Sequence, residues 1–340
     1  MSRKVAVIGA GSMGTAVSIL LSKNGHQVTM WTPFREEAEM MNTLREHIHK
    51  LPGVMLPEGI LCTDCLEQAA RDAETIVLVV PSQTVRENAA RLAPYIKEGM
   101  VVSCFSKGLE EKTGLRMSQV VAQELPGTAY VALSGPCHAE ELARDIPSAY
   151  VAASENREAA EYVQDLLMTP KFRIYTNSDI IGVELGGAIK NVIALCAGIS
   201  DGLGFGDNTK AALMTRGITE IARLGNAMGA QRQTFAGLAG IGDLIVTCTS
   251  MHSRNRRAGI LIGQGKSVEG AIAEVKMVVE GFITTKAAFK LAMENDVVMP
   301  ITTEAYRILF ENKNPRAAVA ELMTREKTHE MEEISLNGAW

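Results

Sequence analysis

Two lysines, one aspartate and a basic turn are the residues best placed to do chemistry. Lys190 stands in Glu184-Leu-Gly-Gly-Ala-Ile-Lys-Asn-Val-Ile-Ala-Leu195, a run that reads as an apolar helix, and its neighbours one turn away are Gly186, Gly187 and Ala194. Small neighbours let another element pack close and enclose the lysine stem, which lowers the pKa toward the range where an amine gives and takes protons. The plainer alternative is a lysine that carries its head out to solvent. Lys107, in Phe105-Ser-Lys-Gly108, follows an apolar run and suits an anion or a carbonyl oxygen, against the alternative of a solvated loop lysine. Asp243 and Thr247, in Gly240-Ile-Gly-Asp-Leu-Ile-Val-Thr247, share a face one helical turn apart. Ser253-Arg-Asn-Arg-Arg257 follows a turn, with Ser253 suited to an N-cap and Arg254 and Asn255 in the first turn. Arginine there opposes the helix dipole, so a bound anion would explain it; a solvated basic turn is the alternative.

A second constellation is phosphate-binding. Residues 4–14 are an apolar run ending in Gly9-x-Gly11-x-x-Gly14, followed by Val17-Ser-Ile-Leu-Leu21. Gly9 permits the tight strand-to-helix turn, Gly11 lets the backbone approach a pyrophosphate, and Gly14 seats the helix on the strand. The spacing alone is a weak signal, and the strand before it and helix behind it are what point to a dinucleotide. The second strand ends Met30-Trp-Thr-Pro-Phe34-Arg35, with no acid at its tip and an arginine close by. NADPH is therefore expected to be accepted and preferred, with NADH usable, unless Glu36-Glu37 fold back to the tip.

These residues need elements to hold them. Strand-like segments at Val5–Ile8, Gln27–Trp31, Thr75–Val80, Met100–Phe105, Tyr130–Leu133, Tyr150–Ala153 and Arg173–Tyr175 alternate with helical ones. That rhythm predicts an α/β, Rossmann-like, doubly wound and mostly parallel sheet. After Asn177 the pattern turns helical, at 180–199, 208–227, 253–263, 267–274, 284–295 and 302–310, which sets a dinucleotide-binding domain over 1–177 and an all-helical domain over 178–340. The charged end from Arg325 to Glu333 is expected to fray.

Composition narrows the classes. A hydrophobic share of 46%, a charged share of 21% and a net charge of −5 describe a soluble globular chain and argue against a nucleic-acid binder. No apolar stretch is expected to reach the length of a membrane span, and the N-terminus is too short in apolar residues for a signal peptide. Six cysteines read as reduced thiols of a cytoplasmic protein. Cys62-x-x-Cys65 has redox spacing without a second pair for a metal, and none is assigned. Cys137-His138 is a weak candidate for a thiol nucleophile, since sequence neighbours seldom point at each other.

Together the motifs resemble those of bacterial glycerol-3-phosphate dehydrogenases. The matching blocks are GAGSMG at 9–14, SKGLE at 106–110, SGPCHAEE at 134–141 and GVELGGAIKNVIALCAGISDGLGFGDNTKAAL at 182–213. TRGITEIARLG at 215–225, TFAGLAGIGDLIVTCTS at 234–250, HSRNRRAG at 252–259 and VVEG at 278–281 extend the match over nearly the whole chain. The resemblance implies an NAD(P)-dependent interconversion of dihydroxyacetone phosphate and glycerol 3-phosphate, feeding glycerophospholipid synthesis. It implies Lys190 as catalytic acid/base, aided by Lys107 and Asp243. Substrate contacts would come from Lys107, Gly135, Cys137, Lys190, Asn191, Asp243, Thr247, Ser253, Arg254 and Asn255. Cofactor contacts, to NADP(H) or NAD(H), would come from the glycines Gly9, Gly11 and Gly14 with Ser12 and Met13, from Phe34 and Arg35, and from Lys107, Ala139, Arg254, Val278 and Glu280. Three positions depart from the family pattern: Cys137 replaces the usual serine or threonine, Met13 a frequent tryptophan, and Phe34-Arg35 a basic pair closer to Trp31. A homodimer is an open expectation. Two other readings stand beside this one: a two-domain dehydrogenase of the hydroxyacid or phosphogluconate type, and a non-catalytic nucleotide sensor on the same fold.

Overall fold

The computed structural model describes residues 2–330. Its first half is built on one eight-stranded sheet: β1 (Lys4–Ile8), β2 (Gln27–Trp31), β3 (Ile60–Thr63), β4 (Thr75–Leu78), β5 (Val101–Cys104), β6 (Ala129–Ser134), β7 (Ser148–Ala153) and β8 (Phe172–Asn177), in the order β3-β2-β1-β4-β5-β6-β7-β8. The strands from β3 to β6 pair in parallel, β7 runs antiparallel to β6, and β8 runs parallel to β7. Val5 to Ile8 are buried on both faces, as a central parallel strand requires. Their side chains alternate: Val5 and Val7 join the apolar layer that holds Val17 and Leu21, while Ala6 and Ile8 join the layer that holds Ile76 and Leu92.

The chain winds outward from β1 in one direction and, after crossing to β4, in the other. The crevice at that reversal is where an open α/β sheet takes its ligands. Gly9 caps β1 there at φ +114°, and a Cβ on it would lie 2.6 Å from the Val79 carbonyl oxygen. A Cβ on Gly14 would strike the Gly9 carbonyl, whereas one on Gly11 would meet nothing within 4 Å. The turn is thus packed tight on its protein side and open on its crevice side.

After Asn177, the described residues are helical. The helix Ile180–Gly202 is the axis of this half, and the helices Asp207–Ala227, Asp243–Thr249, Arg254–Gly263 and Glu280–Glu294 pack around it. This helix corrects one expectation. At 23 residues and a mean hydropathy of 1.7 it is long and apolar enough to span a membrane, yet 89% of that stretch is buried inside the protein. A helix wrapped by others on every side is apolar all round for the same reason as a membrane helix. A bent pair, Arg232–Thr249 with Arg254–Gly263, passes the same test only if its 50° break is ignored.

β3 and the short helices Leu66–Ala70, Arg232–Phe235 and Pro315–Met323 escape the sequence pattern. β3 is a four-residue edge strand, with Cys62 buried and Leu61 exposed, and it holds the first cysteine of the Cys62-x-x-Cys65 segment read for redox spacing. Cys65 is exposed, and all six cysteines are free thiols. The helix Pro315–Met323 starts on Asn314, whose side chain accepts the Arg316 and Ala317 amides. The charged end expected to fray lies in part outside the described residues.

Candidate active site

The strand ends after β4, β5 and β6 and the start of the helical half enclose a cleft of about 460 Å³. Gly11, Ser12 and Met13 line its sheet side, where the amides of the Ser12–Lys23 helix N-terminus are available to an anion. Lys107, Cys137 and Ala139 line the middle. Lys190, Asn191, Asp243, Thr247, Ser253, Arg254 and Asn255 line the helical side, with Val278 and Glu280 at the edge.

Lys190 is enclosed as its neighbours suggest. Gly186 leaves room for the Ala239 carbonyl, and Gly187 for the Ser134 hydroxyl and the Lys107 stem. The Lys190 ammonium, on a side chain 7% exposed, forms an ion pair with Asp243 Oδ1 and donates to Thr247 Oγ1 at 2.8 Å. Thr247 spends its own proton on the Asp243 backbone carbonyl at 2.6 Å, so it can only accept from Lys190. The five residues before Asp243, Leu238–Gly242, form a π-helical turn, a local widening that accompanies the approach of this segment to Gly186.

Asp243 Oδ2 accepts from Lys107 Nζ at 2.7 Å, and Lys107 donates also to the Gly135 carbonyl at 2.9 Å. One carboxylate thus serves two ammonium groups with opposite results. Burial dominates at Lys190 and pulls its pKa down to about 8, despite the attraction of Asp243. At Lys107 burial also pulls downward, but Asp243 and the Tyr150 ring, 4.9 Å from the ammonium, outweigh it and hold the pKa above the ordinary lysine range. Burial would raise the Asp243 carboxyl, and the two ammonium groups overcome it and hold it low.

The basic turn sorts its residues by task. Ser253 caps the Arg254–Gly263 helix by accepting the Arg256 amide at 3.2 Å. Arg256 is fixed to Asp201 at 2.7 and 2.9 Å. Arg254 has no hydrogen bond or ion pair among the described residues, and burial lowers its pKa. A half-buried guanidinium without a partner, at a helix N-terminus on the cleft wall, suits a phosphate. Asn255 links elements: it donates to Asn191 Oδ1 at 2.9 Å and accepts the Gly281 amide at 2.8 Å.

Two features lay beyond the sequence reading, the partner that Glu280 finds and Tyr150 beside Lys107, whereas Cys137, Phe34 and Arg35 were expected in the site. Glu280 accepts from the Ser82 amide at 3.0 Å and its hydroxyl at 2.6 Å, tying the helical half to the loop after β4. Tyr150 is buried beside Lys107. Cys137 faces the cleft, but burial pushes its thiol up to about 12, which removes it as a nucleophile at neutral pH. Phe34 and Arg35 lie outside the cleft, just past β2, exposed at the tip of that strand.

The residues fit a dinucleotide on a structural ground: the open face at Gly11, the free helix N-terminus behind it and the tight packing at Gly9 form a cradle that a side chain at Gly11 would fill. Comparison with known proteins agrees with this geometry. The family described as NAD-dependent glycerol-3-phosphate dehydrogenase matches through its N-terminal part over residues 4–160 and its C-terminal part over residues 179–320. The chain is 60% identical to the glycerol-3-phosphate dehydrogenase (NAD(P)+) of Pelotomaculum thermopropionicum over 342 residues, covering 100% of this chain and 98% of that protein. It is 56% identical to the protein of the same name from Desulfitobacterium hafniense, over 98% of this chain and 94% of the relative. The crystal structure of glycerol-3-phosphate dehydrogenase from Coxiella burnetii superposes with a TM-score of 0.92 at 37% identity, over 95% of this chain and 99% of that one. The chain belongs to the NAD-dependent glycerol-3-phosphate dehydrogenase family.

Proposed function

We propose that the chain interconverts dihydroxyacetone phosphate and glycerol 3-phosphate, with Lys190 as the group that moves the proton. The observation that carries this is the pair of lysines on one carboxylate, displaced in opposite directions, beside a phosphate-ready helix terminus. The cofactor, when bound, supplies or receives the hydride. Lys190 has three N–H donors and commits two, to Asp243 and Thr247, which leaves one for the C2 oxygen of the substrate. As negative charge develops on that oxygen, the ammonium gives up its proton; in the reverse direction the free amine takes it back. Lys107 keeps its charge throughout, so its part is to polarise and hold the substrate. Asp243 fixes both ammonium groups, and Thr247 fixes the direction of Lys190.

Arg254 meets the phosphate, Asn255 and Asn191 set the wall around it, and Glu280 with Ser82 closes the edge near the cofactor. We read residues 1–177 and 178–340 as a cofactor-binding unit and a substrate-binding unit. A cytoplasmic homodimer that supplies glycerol 3-phosphate for glycerophospholipids completes the reading; exposed Met293, Val298 and Met323 on the helical half support an assembly surface.

The test is nicotinamide turnover on dihydroxyacetone phosphate and on unphosphorylated dihydroxyacetone. The normal chain is expected to turn over the first and barely the second. Arg254→Ala should lower kcat/KM on the phosphorylated ketone by roughly 30- to 150-fold, the worth of one charge-assisted contact of about 2–3 kcal/mol. Equal losses on both ketones would remove Arg254 from the phosphate site, and no turnover at all would sink the reading.

A further inference from the structure

The C-terminal end of β2 carries a charge pair that bears on the choice of nicotinamide cofactor. In units of this kind an acid at that strand tip accepts the ribose 2′-hydroxyl and repels a 2′-phosphate. Here the residue after β2 is Thr32, yet an acid reaches the tip through space. Glu37, in the helix Arg35–Leu44, folds back so that Oε2 accepts the Thr32 hydroxyl at 2.9 Å. Its Oε1 is 2.7 Å from the Lys50 ammonium. The Lys50 backbone carbonyl accepts the Ser12 hydroxyl at 2.6 Å, which fastens the pair to the first residue of the glycine-loop helix. The same ammonium stands 5.8 Å from the Phe34 ring centroid, and that ring is 59% exposed at the strand tip.

Arg35 is differently placed. Its side chain is 79% exposed and paired with Glu39 at 2.7 Å, one turn further along its own helix. A long side chain so engaged and so solvated discriminates weakly.

We infer that the Glu37–Lys50 pair, and not Arg35, sets the choice between NADH and NADPH, with Lys50 as the cation that meets a ribose 2′-phosphate. The inference rests on the reading of the cleft as a dinucleotide site. Paired, the two charges cancel and the tip admits both cofactors. Lys50 spends one of its three donors on Glu37, and the others are open to a phosphate. Without Lys50 the Glu37 carboxylate, left with the Thr32 hydroxyl and with the buried His47 Nε2 at 4.0 Å, faces the ribose with no ammonium beside it, which favours the 2′-hydroxyl. Without the Glu37 charge an unopposed ammonium faces it, which favours the 2′-phosphate. The two ends of the pair therefore act in opposite directions, a signature that a purely structural pair lacks.

The experiment is calorimetric titration of the full chain with NADPH, NADH, 2′,5′-ADP and 5′-AMP, with no turnover involved, and a thermal midpoint for each variant. Lys50→Met should weaken NADPH and 2′,5′-ADP by at least about tenfold, as loss of a charge-assisted contact does, while NADH and 5′-AMP stay within about twofold. Glu37→Gln should shift the NADPH-to-NADH preference several-fold the other way, and Arg35→Ala should leave the ratio within about twofold. Lys50→Gln guards against a methionine-specific packing effect. Equal weakening of all four ligands by Lys50→Met, an unchanged NADPH affinity, or Glu37→Gln moving the ratio in the same direction as Lys50→Met would overturn the inference. Failure of the unaltered chain to bind any of the four would instead sink the dinucleotide site itself, and the inference with it.

Discussion

Lys190 and Lys107 face one carboxylate, and the difference between them lies in what surrounds each ammonium. Lys190 sits deeper, among glycine and alanine backbone, and burial wins; Lys107 adds the Gly135 carbonyl and the Tyr150 ring, and attraction wins. Lys190→Met keeps the length of the side chain and removes the proton. It should lower kcat by ~10²–10⁴-fold, the usual contribution of a general acid, while NADPH affinity holds and the protein stays folded on the remaining Lys107–Asp243 pair, with a lower thermal midpoint from the lost buried pair. The pH profile carries the sign. Ketone reduction needs the ammonium, so its rate should fall as pH rises through about 8; alcohol oxidation needs the free amine, so its rate should fall as pH drops through the same value. Steady-state kinetics in both directions across that range checks this, and a Lys190→Met variant with near-normal kcat would move the proton to another group. Lys190 could be read in the sequence because its small neighbours announce enclosure. The pairing of Ser82 with Glu280 could not: the two are 198 residues apart, and neither stands in a pattern that predicts the meeting. Lys50 is an ordinary loop lysine until the fold brings Glu37 to it.

At the scale of elements, the distance between Lys190 and the basic turn is set by two helices that touch backbone to backbone. Gly198 and Gly202 on the helix Ile180–Gly202 face Gly259 and Gly263 on the helix Arg254–Gly263. A Cβ on Gly259 would collide with the Leu195 carbonyl oxygen, and one on Gly198 with the Arg256 carbonyl. The four glycines let the second helix lie close enough for Asn255 to reach Asn191. Gly259→Ala should therefore destabilise the fold by about 1–3 kcal/mol, as overpacking does, and raise KM for the phosphorylated ketone more than it changes cofactor affinity. Denaturant unfolding and a KM comparison check both parts; a normal KM in a destabilised protein would mean that the helices part without moving Arg254 and Asn255. The long helices were legible because apolar residues recur at their period over many turns. β3 was not, since four residues at a sheet edge, Ile-Leu-Cys-Thr with Leu61 exposed, offer too short a run to fix a period. The apolar length of Ile180–Gly202 was underread, because Glu184 and Lys190 interrupt the run in sequence without interrupting the helix that buries them.

At the scale of the molecule, the cleft lies where the sheet half meets the helical half, and three sets of contacts cross there. Lys107 pairs with Asp243, and Ser82 holds Glu280. Glu184, buried in the axial helix, accepts from Arg116 Nη1 at 2.6 Å and from the Ser118 amide at 2.7 Å. An apolar cluster spans the same boundary, with Ala132, Val151 and Ala153 from the sheet against Ile180, Val183 and Ala239. We propose that the two units unfold together for this reason. Separating them would expose that cluster, strip Glu184 of Arg116 and leave Asp243 with Lys190 alone, a loss of several kcal/mol where a buried carboxylate loses its only cation. Calorimetric melting of the full chain should give one transition whose calorimetric and van't Hoff enthalpies agree. NADPH and glycerol 3-phosphate together should raise that single midpoint, since each binds the folded cleft and adds about 2.7 kcal/mol at a hundredfold excess over its dissociation constant. Two resolved transitions, of which the cofactor moves only one, would show that the halves hold their folds independently and that the cleft contacts do not couple them.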